Sequence, residues 1–221
     1  MNRFKYWINV SLKDLSIIVL GSIAYALFMS IVDEDPMSLI GFSKIMVYFF
    51  SIIWFFFSFI TSVTRFVLLT NVAISMGETR KNVALGIHLY NLTQFIFAFL
   101  ILNIVAFITD YSAIKLVTVL TSIPATYLFS CGVGLIIYSN SKTDITTKSV
   151  PATILMFVAI IVIFSSCFLT GIANLSSGEL FPEGSIVPTV ATCIIAALGI
   201  LAYFIGTILT RKRLCKYEAC L

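Results

Sequence analysis

Residues 45–61 read IMVYFFSIIWFFFSFIT, and this stretch decides the fold. It carries no charge, and the next basic residue is Arg65. A helix needs about 20 apolar residues to cross the hydrocarbon core of a bilayer, so the run to about residue 64 is long enough. A barrel strand would alternate over about ten residues, whereas this run is apolar throughout. Working outward, five more continuous apolar runs follow the same logic, at about residues 15–32, 84–108, 116–138, 150–173 and 186–209. Pro151 and Pro188 stand near two of the starts, where a missing N–H costs nothing. Pro124 falls inside the fourth run, where a kink is expected.

The composition agrees. The chain is 60% hydrophobic and only 11% charged, against about a quarter charged in soluble domains. Much of any soluble protein's surface faces water, so this much apolar side chain has no aqueous place to go. The net charge of +4 does not imply nucleic-acid binding, because the basic residues sit between apolar runs and not on one soluble face. Cys131, Cys167 and Cys193 lie inside apolar runs, where a thiol acts as a small hydrophobe. The final Glu-Ala-Cys-Leu lacks the cysteine fourth from the end that prenylation needs.

Lysine and arginine give the direction, since short cytoplasmic loops collect them. Arg3, Lys5, Lys13, Arg65, Arg80, Lys81, Lys142, Lys148, Arg211, Lys212, Arg213 and Lys216 fall on one side, and only Lys44 and Lys115 on the other. Asp33, Glu34, Asp35, Asp110, Glu179 and Glu183 accompany the minority side. The expected fold is therefore an all-α polytopic membrane protein with six transmembrane helices and both termini cytoplasmic. Residues 1–14 are expected as an amphipathic interfacial helix, with Phe4, Trp7, Ile8, Ser11, Leu12 and Leu15 on one face. A cleaved leader is the rival reading of this end. Residues 15–209 form the membrane domain and residues 210–221 a basic cytoplasmic tail.

Catalytic signatures are missing. No ionisable residue is expected near the middle of a span, where burial is costly unless function demands it. One histidine cannot make an intramembrane histidine pair for zinc. No carboxylate pair, nucleophile elbow or phosphate-binding loop is present. No cofactor is expected in this chain. Polar residues do mark the third span, with His88, Asn91 and Gln94 at three-residue intervals and Asn103 further out. Hydrogen bonding between helices is the plain reading of these; a pathway or subunit interface is the sharper one. The fourth span carries Thr118, Thr121, Ser122 and Thr126. The aromatic run Tyr48–Phe59 reads as packing and lipid contact.

Between spans two and three the chain does not turn at once. It continues in helical pattern through SVTRFVLLTNVAISM and meets Gly77, a natural C′ residue because it tolerates a left-handed conformation. Thr79 can cap the helix that follows, and Arg80 and Lys81 suit an anionic lipid surface. A short helix over about Asn71–Met76 is expected before the glycine.

The segment AISMGETRKNVALG, residues 73–86, resembles the cytoplasmic turn between the first two helix pairs of type-2 ATP-binding-cassette exporter permeases. The six-span layout with both ends inside and the amphipathic N-terminal helix resemble that family too. The resemblance implies that Asn71, Val72, Ala73, Ile74, Ser75 and Met76 form a coupling helix. Gly77 would be its corner, with Glu78, Thr79, Arg80 and Lys81 as its polar flank. It implies a separate cassette ATPase, in two copies, that binds ATP and magnesium, and a second permease subunit, identical or homologous. Many relatives carry a larger outer insertion before the last span than Asn174–Ser185 provides. The cargo expected from an apolar, aromatic-rich domain is a peptide, lipid or other amphiphile, exported across a bacterial plasma membrane. A non-transporting immunity or assembly protein is the rival class, and a channel or gradient-driven carrier a more distant one.

Overall fold

The computed structural model describes residues 3–32, 39–108, 113–140, 154, 157–163 and 187–216. All but a four-residue turn of these is helical, and no strand occurs among the described residues. Helix α1 spans Arg3–Val32. Helix α2 (Leu39–Ile60) passes through a π-helical turn, Thr61–Arg65, directly into α3 (Phe66–Ser75). After a corner come α4 (Arg80–Ile108), α5 (Ala113–Asn140) and α6 (Val187–Lys216). Residues 157–163 are helical as well. The stretch 164–186, with the outer loop Asn174–Ser185, lies outside the described residues. So do Pro151 and the side chains of Thr118, Thr121 and Ser122.

Four helical segments among the described residues are long and apolar enough to cross a membrane: Phe4–Val32, Ile45–Ser75, Arg80–Val105 and Val190–Cys215. Ile123–Ser139 is a shorter apolar helix. Large apolar side chains stand outward along them, among them Leu20, Phe28 and Ile31 on α1 and Ile194, Leu201 and Phe204 on α6. Exposed apolar area of this extent fits hydrocarbon and not water. Residues 3–14 run on into the rest of α1 without a break. Trp7, Ser11 and Leu15 of the expected apolar face are buried, while Phe4 points out at 52% exposure.

Side-chain contacts fix the helix directions. Tyr25 stacks on Phe49 and Asp14 pairs with Arg65, so α1 and α2 are antiparallel. Ser11 Oγ donates to the Tyr90 carbonyl (3.1 Å), Gln94 Nε2 donates to the Ser11 carbonyl (2.8 Å), and Ile18 and Ala98 share one core; α1 and α4 run the same way. Trp54 stacks on Tyr127, and Phe66 meets Tyr138 edge-on, so α5 runs parallel to α2 and α3. Gly199 lies against Ala125 and Phe129, and Gly206 against Gly132 and Leu135. Thus α6 is parallel to α5 and begins at the end where α5 begins.

Two apolar clusters hold the bundle. The larger lies along its middle and is built on Phe50, Trp54, Phe55, Phe59, Leu102 and Tyr127, so much of the aromatic run of the second span packs inward. The smaller lies at the end where α1 starts and α3, α5 and α6 finish. It joins Trp7, Phe66, Ile87, Tyr90, Tyr138 and Leu214. Most of the lysines and arginines are at this basic end. Since lipid competes equally for apolar side chains, close packing and interhelical hydrogen bonds decide such contacts.

Candidate functional site

The corner between α3 and α4 is built by backbone chemistry. The Gly77 N–H donates to the Ile74 carbonyl (2.9 Å) and the Glu78 N–H to the Ala73 carbonyl (3.0 Å). This crossed pair is a Schellman motif, which needs a left-handed residue at C′, and Gly77 has φ +80°. The Thr79 carbonyl then accepts from the Val83 N–H (3.0 Å), the first backbone bond of α4. No atom lies within 4 Å of a Cβ built on Gly77, so conformation and not space selects glycine. Gly77→Ala should lower thermal stability in detergent by about 1 kcal/mol, the strain of a left-handed alanine, with Gly77→Asn closer to wild type. Equal melting of all three proteins would contradict the turn.

The expected short helix over Asn71–Met76 is the last part of the longer α3. Its residues divide by face. Ala73 is buried, and Ile74 packs partly against the basic-end cluster. Asn71, Val72, Ser75, Met76, Gly77, Thr79 and Lys81 are exposed, and Glu78 and Arg80 are half-buried. Leu68, Val72 and Met76 stand outward at 66%, 44% and 56% exposure. Spaced four apart, they form one apolar stripe down α3. Ile74 lies between the two faces, partly buried against the basic-end cluster.

Ten residues up the chain from Ser75, the π turn carries Arg65. Its Nη1 lies 2.6 Å from Asp14 Oδ1, and the Tyr90 hydroxyl donates to Asp14 Oδ2 at 2.7 Å. Asp14 is fully buried, whereas Arg65 is partly open. Asp14 stands at the basic end of the apolar segment Phe4–Val32, one residue before the expected start of the first span, and its burial was not anticipated. The sequence carries a signal for it. Asp14 shares the inner face with Trp7, Ser11 and Ile18, and a carboxylate on such a face demands a buried partner.

The polar residues of α4 meet several neighbours. His88 Nδ1 lies 2.9 Å from the Tyr203 hydroxyl of α6. The Asn91 carbonyl accepts from the Tyr127 hydroxyl of α5 (2.8 Å), and the Asn91 side chain is buried. Gln94 reaches α1, as described above. Asn103 turns back on its own helix, donating to the Phe99 carbonyl (2.7 Å). At the same end, Thr70 Oγ1 lies 3.2 Å from the Tyr138 hydroxyl, and the Arg213 guanidinium sits 4.3 Å over the Tyr138 ring. These contacts tie α3, α5 and the end of α6 together, with a cation–π term.

Fold and corner together define a multi-helix bundle of membrane character that presents an apolar stripe at its basic end. Compared with known protein families, curated proteins and solved structures, the chain matches none of them.

Proposed function

We infer that this chain is the membrane subunit of an ATP-driven exporter of the type-2 cassette class, coupled through the α3–α4 corner to a separate ATPase. The observation that carries the reading is the outward stripe Leu68–Val72–Met76, ending in a Schellman corner at the basic end. The arithmetic of length supports a position outside the lipid. Ile45–Ser75 is 31 residues, about 46 Å of helix at 1.5 Å per residue, against a hydrocarbon core of about 30 Å. Counted from Ile45, the core ends near Arg65, and α3 extends about 15 Å beyond it. A water-facing apolar stripe there is best covered by a protein partner.

The parallel packing of α5 and α6 supports six crossings. A chain that leaves α5 at the basic end and enters α6 at the opposite end must cross once between them, and residues 157–163 fall in that interval. With the positive-inside rule, both termini and the corner are cytoplasmic. Two such subunits and two ATPases would complete the transporter, and an amphipathic peptide or lipid suits its apolar interior.

Purification in mild detergent beside its cognate cassette protein should retain a vanadate-sensitive ATPase in fixed ratio. Retention of none, with the bundle intact, sinks the reading in favour of a non-transporting membrane protein.

A further inference from the structure

Helix α3 is amphipathic in two registers. Its inward residues are Phe66, Leu69, Thr70 and Ala73; its outward apolar residues are Leu68, Val72 and Met76. The outward stripe stands one position before the inward one, with 68 before 69 and 72 before 73. A slip of one residue turns a helix by about 100° and advances it about 1.5 Å. Leu68 and Val72 would then occupy the places of Leu69 and Ala73, and Leu69 that of Thr70. Thr70 would move to the exposed position of Asn71. By the same rule Arg65 would move to the fully buried place of Phe66 and Phe66 to that of Val67, so the second register is the costlier one, and only the present one shows the stripe.

The hardware for such a slip flanks α3. On one side the Phe66 N–H donates to the Thr61 carbonyl, the i→i+5 bond of a π turn, which holds one extra residue relative to an α-helix. Relaxing it to α turns everything downstream by one position. At the other end Gly77, with open space around it, can swivel. Arg65, the last residue of the π turn, is held by Asp14 and through it by Tyr90. The slip would swing Arg65 away and leave a fully buried carboxylate without its cation, a costly state.

We propose that the π turn and the Asp14–Arg65 pair form a two-position latch, which holds α3 with its docking stripe outward and withdraws the stripe when the pair opens. The latch goes beyond the coupling function and needs no partner to be observed. Single cysteines are placed at Val72 or Thr70 in a chain with Cys131, Cys167, Cys193, Cys215 and Cys220 replaced, and thiol labelling is followed in detergent. In the Asp14→Asn variant, labelling at 72 should fall and at 70 should rise, each roughly tenfold, since neutralising one partner removes most of the bias. Deleting Thr64 removes the extra residue and fixes α3 facing as it does now, so with that deletion Asp14→Asn should have no effect on either site. Unchanged labelling, or a rise at both sites as in local unfolding, overturns the latch. So does failure of Asp14→Asn to fold even with Thr64 deleted, because the pair is then a plain structural requirement. If labelling shifts as expected but no ATPase is retained by the wild type, the latch stands and the coupling reading falls.

Discussion

Gly132→Leu should leave almost no folded protein in detergent, and Gly132→Ala should already cost about 1–3 kcal/mol, the usual range for overpacking a tight contact. At Gly132 the two long helices α5 and α6 meet backbone to backbone. A Cβ there would overlap the Tyr203 amide nitrogen and the carbonyl carbon and Cβ of Ala202, and Gly206 faces the Gly132 carbonyl from the other side. Backbone atoms cannot swing aside as a side chain can, so relief requires the helices to part. Parting them loses the dispersion contacts that replace the hydrophobic drive inside lipid. The contact also holds Tyr203 beside His88 and brings Arg213 over Tyr138, so the loss spreads to the basic end. Gly21 is the control, since nothing lies within 4 Å of a Cβ at that helical position. Gly21→Ala should gain about 0.5–1 kcal/mol, the ordinary helical preference for alanine. Denaturant titration read by the buried Trp7 and Trp54 measures both. Should Gly132→Ala stabilise as Gly21→Ala does, the close crossing is wrong.

What could be read from the sequence follows from which forces are local. Long uncharged runs dictate helices whatever packs on them, and Gly77 dictates a corner through its own φ, so both were legible. The π turn was not. One extra residue leaves an apolar run looking the same, and only the partners of Arg65 reveal the shift. The burial of Asp14 escaped because residues 3–14 read well as an interfacial helix, with Lys5 and Lys13 off the apolar face. Their continuation into one helix of 30 residues carries Asp14 inward against α2 and α4. The two faces of residues 71–76 were not legible for a related reason. A six-residue helix standing alone has no inner face to assign, whereas α3, joined to α2 and packed on Phe66 and Ala73, sets Val72 and Met76 outward and Ile74 partly inward.

That division gives the second large effect. If the proposed coupling to a cassette ATPase holds and each residue is a buried anchor worth about 2 kcal/mol, Val72→Lys and Met76→Lys should each weaken retention of that ATPase roughly 30-fold, and together abolish it. Lysine is chosen because a cation near the C-terminal end of α3 is favourable to the helix dipole. Both positions are exposed, so the fold should stay within about 0.5 kcal/mol of wild type, as exposed substitutions usually do. Ile74→Lys should behave in the opposite way. It puts a charge against the cluster of Trp7, Phe66 and Leu214, so it should lower the melting temperature first and lose the partner only in proportion to unfolding. The contrast between the two faces carries the test, because a general weakening of the corner would treat all three alike. If Val72→Lys and Met76→Lys retain the ATPase at wild-type ratio and transport is unaffected, then the stripe on α3 faces something other than a motor.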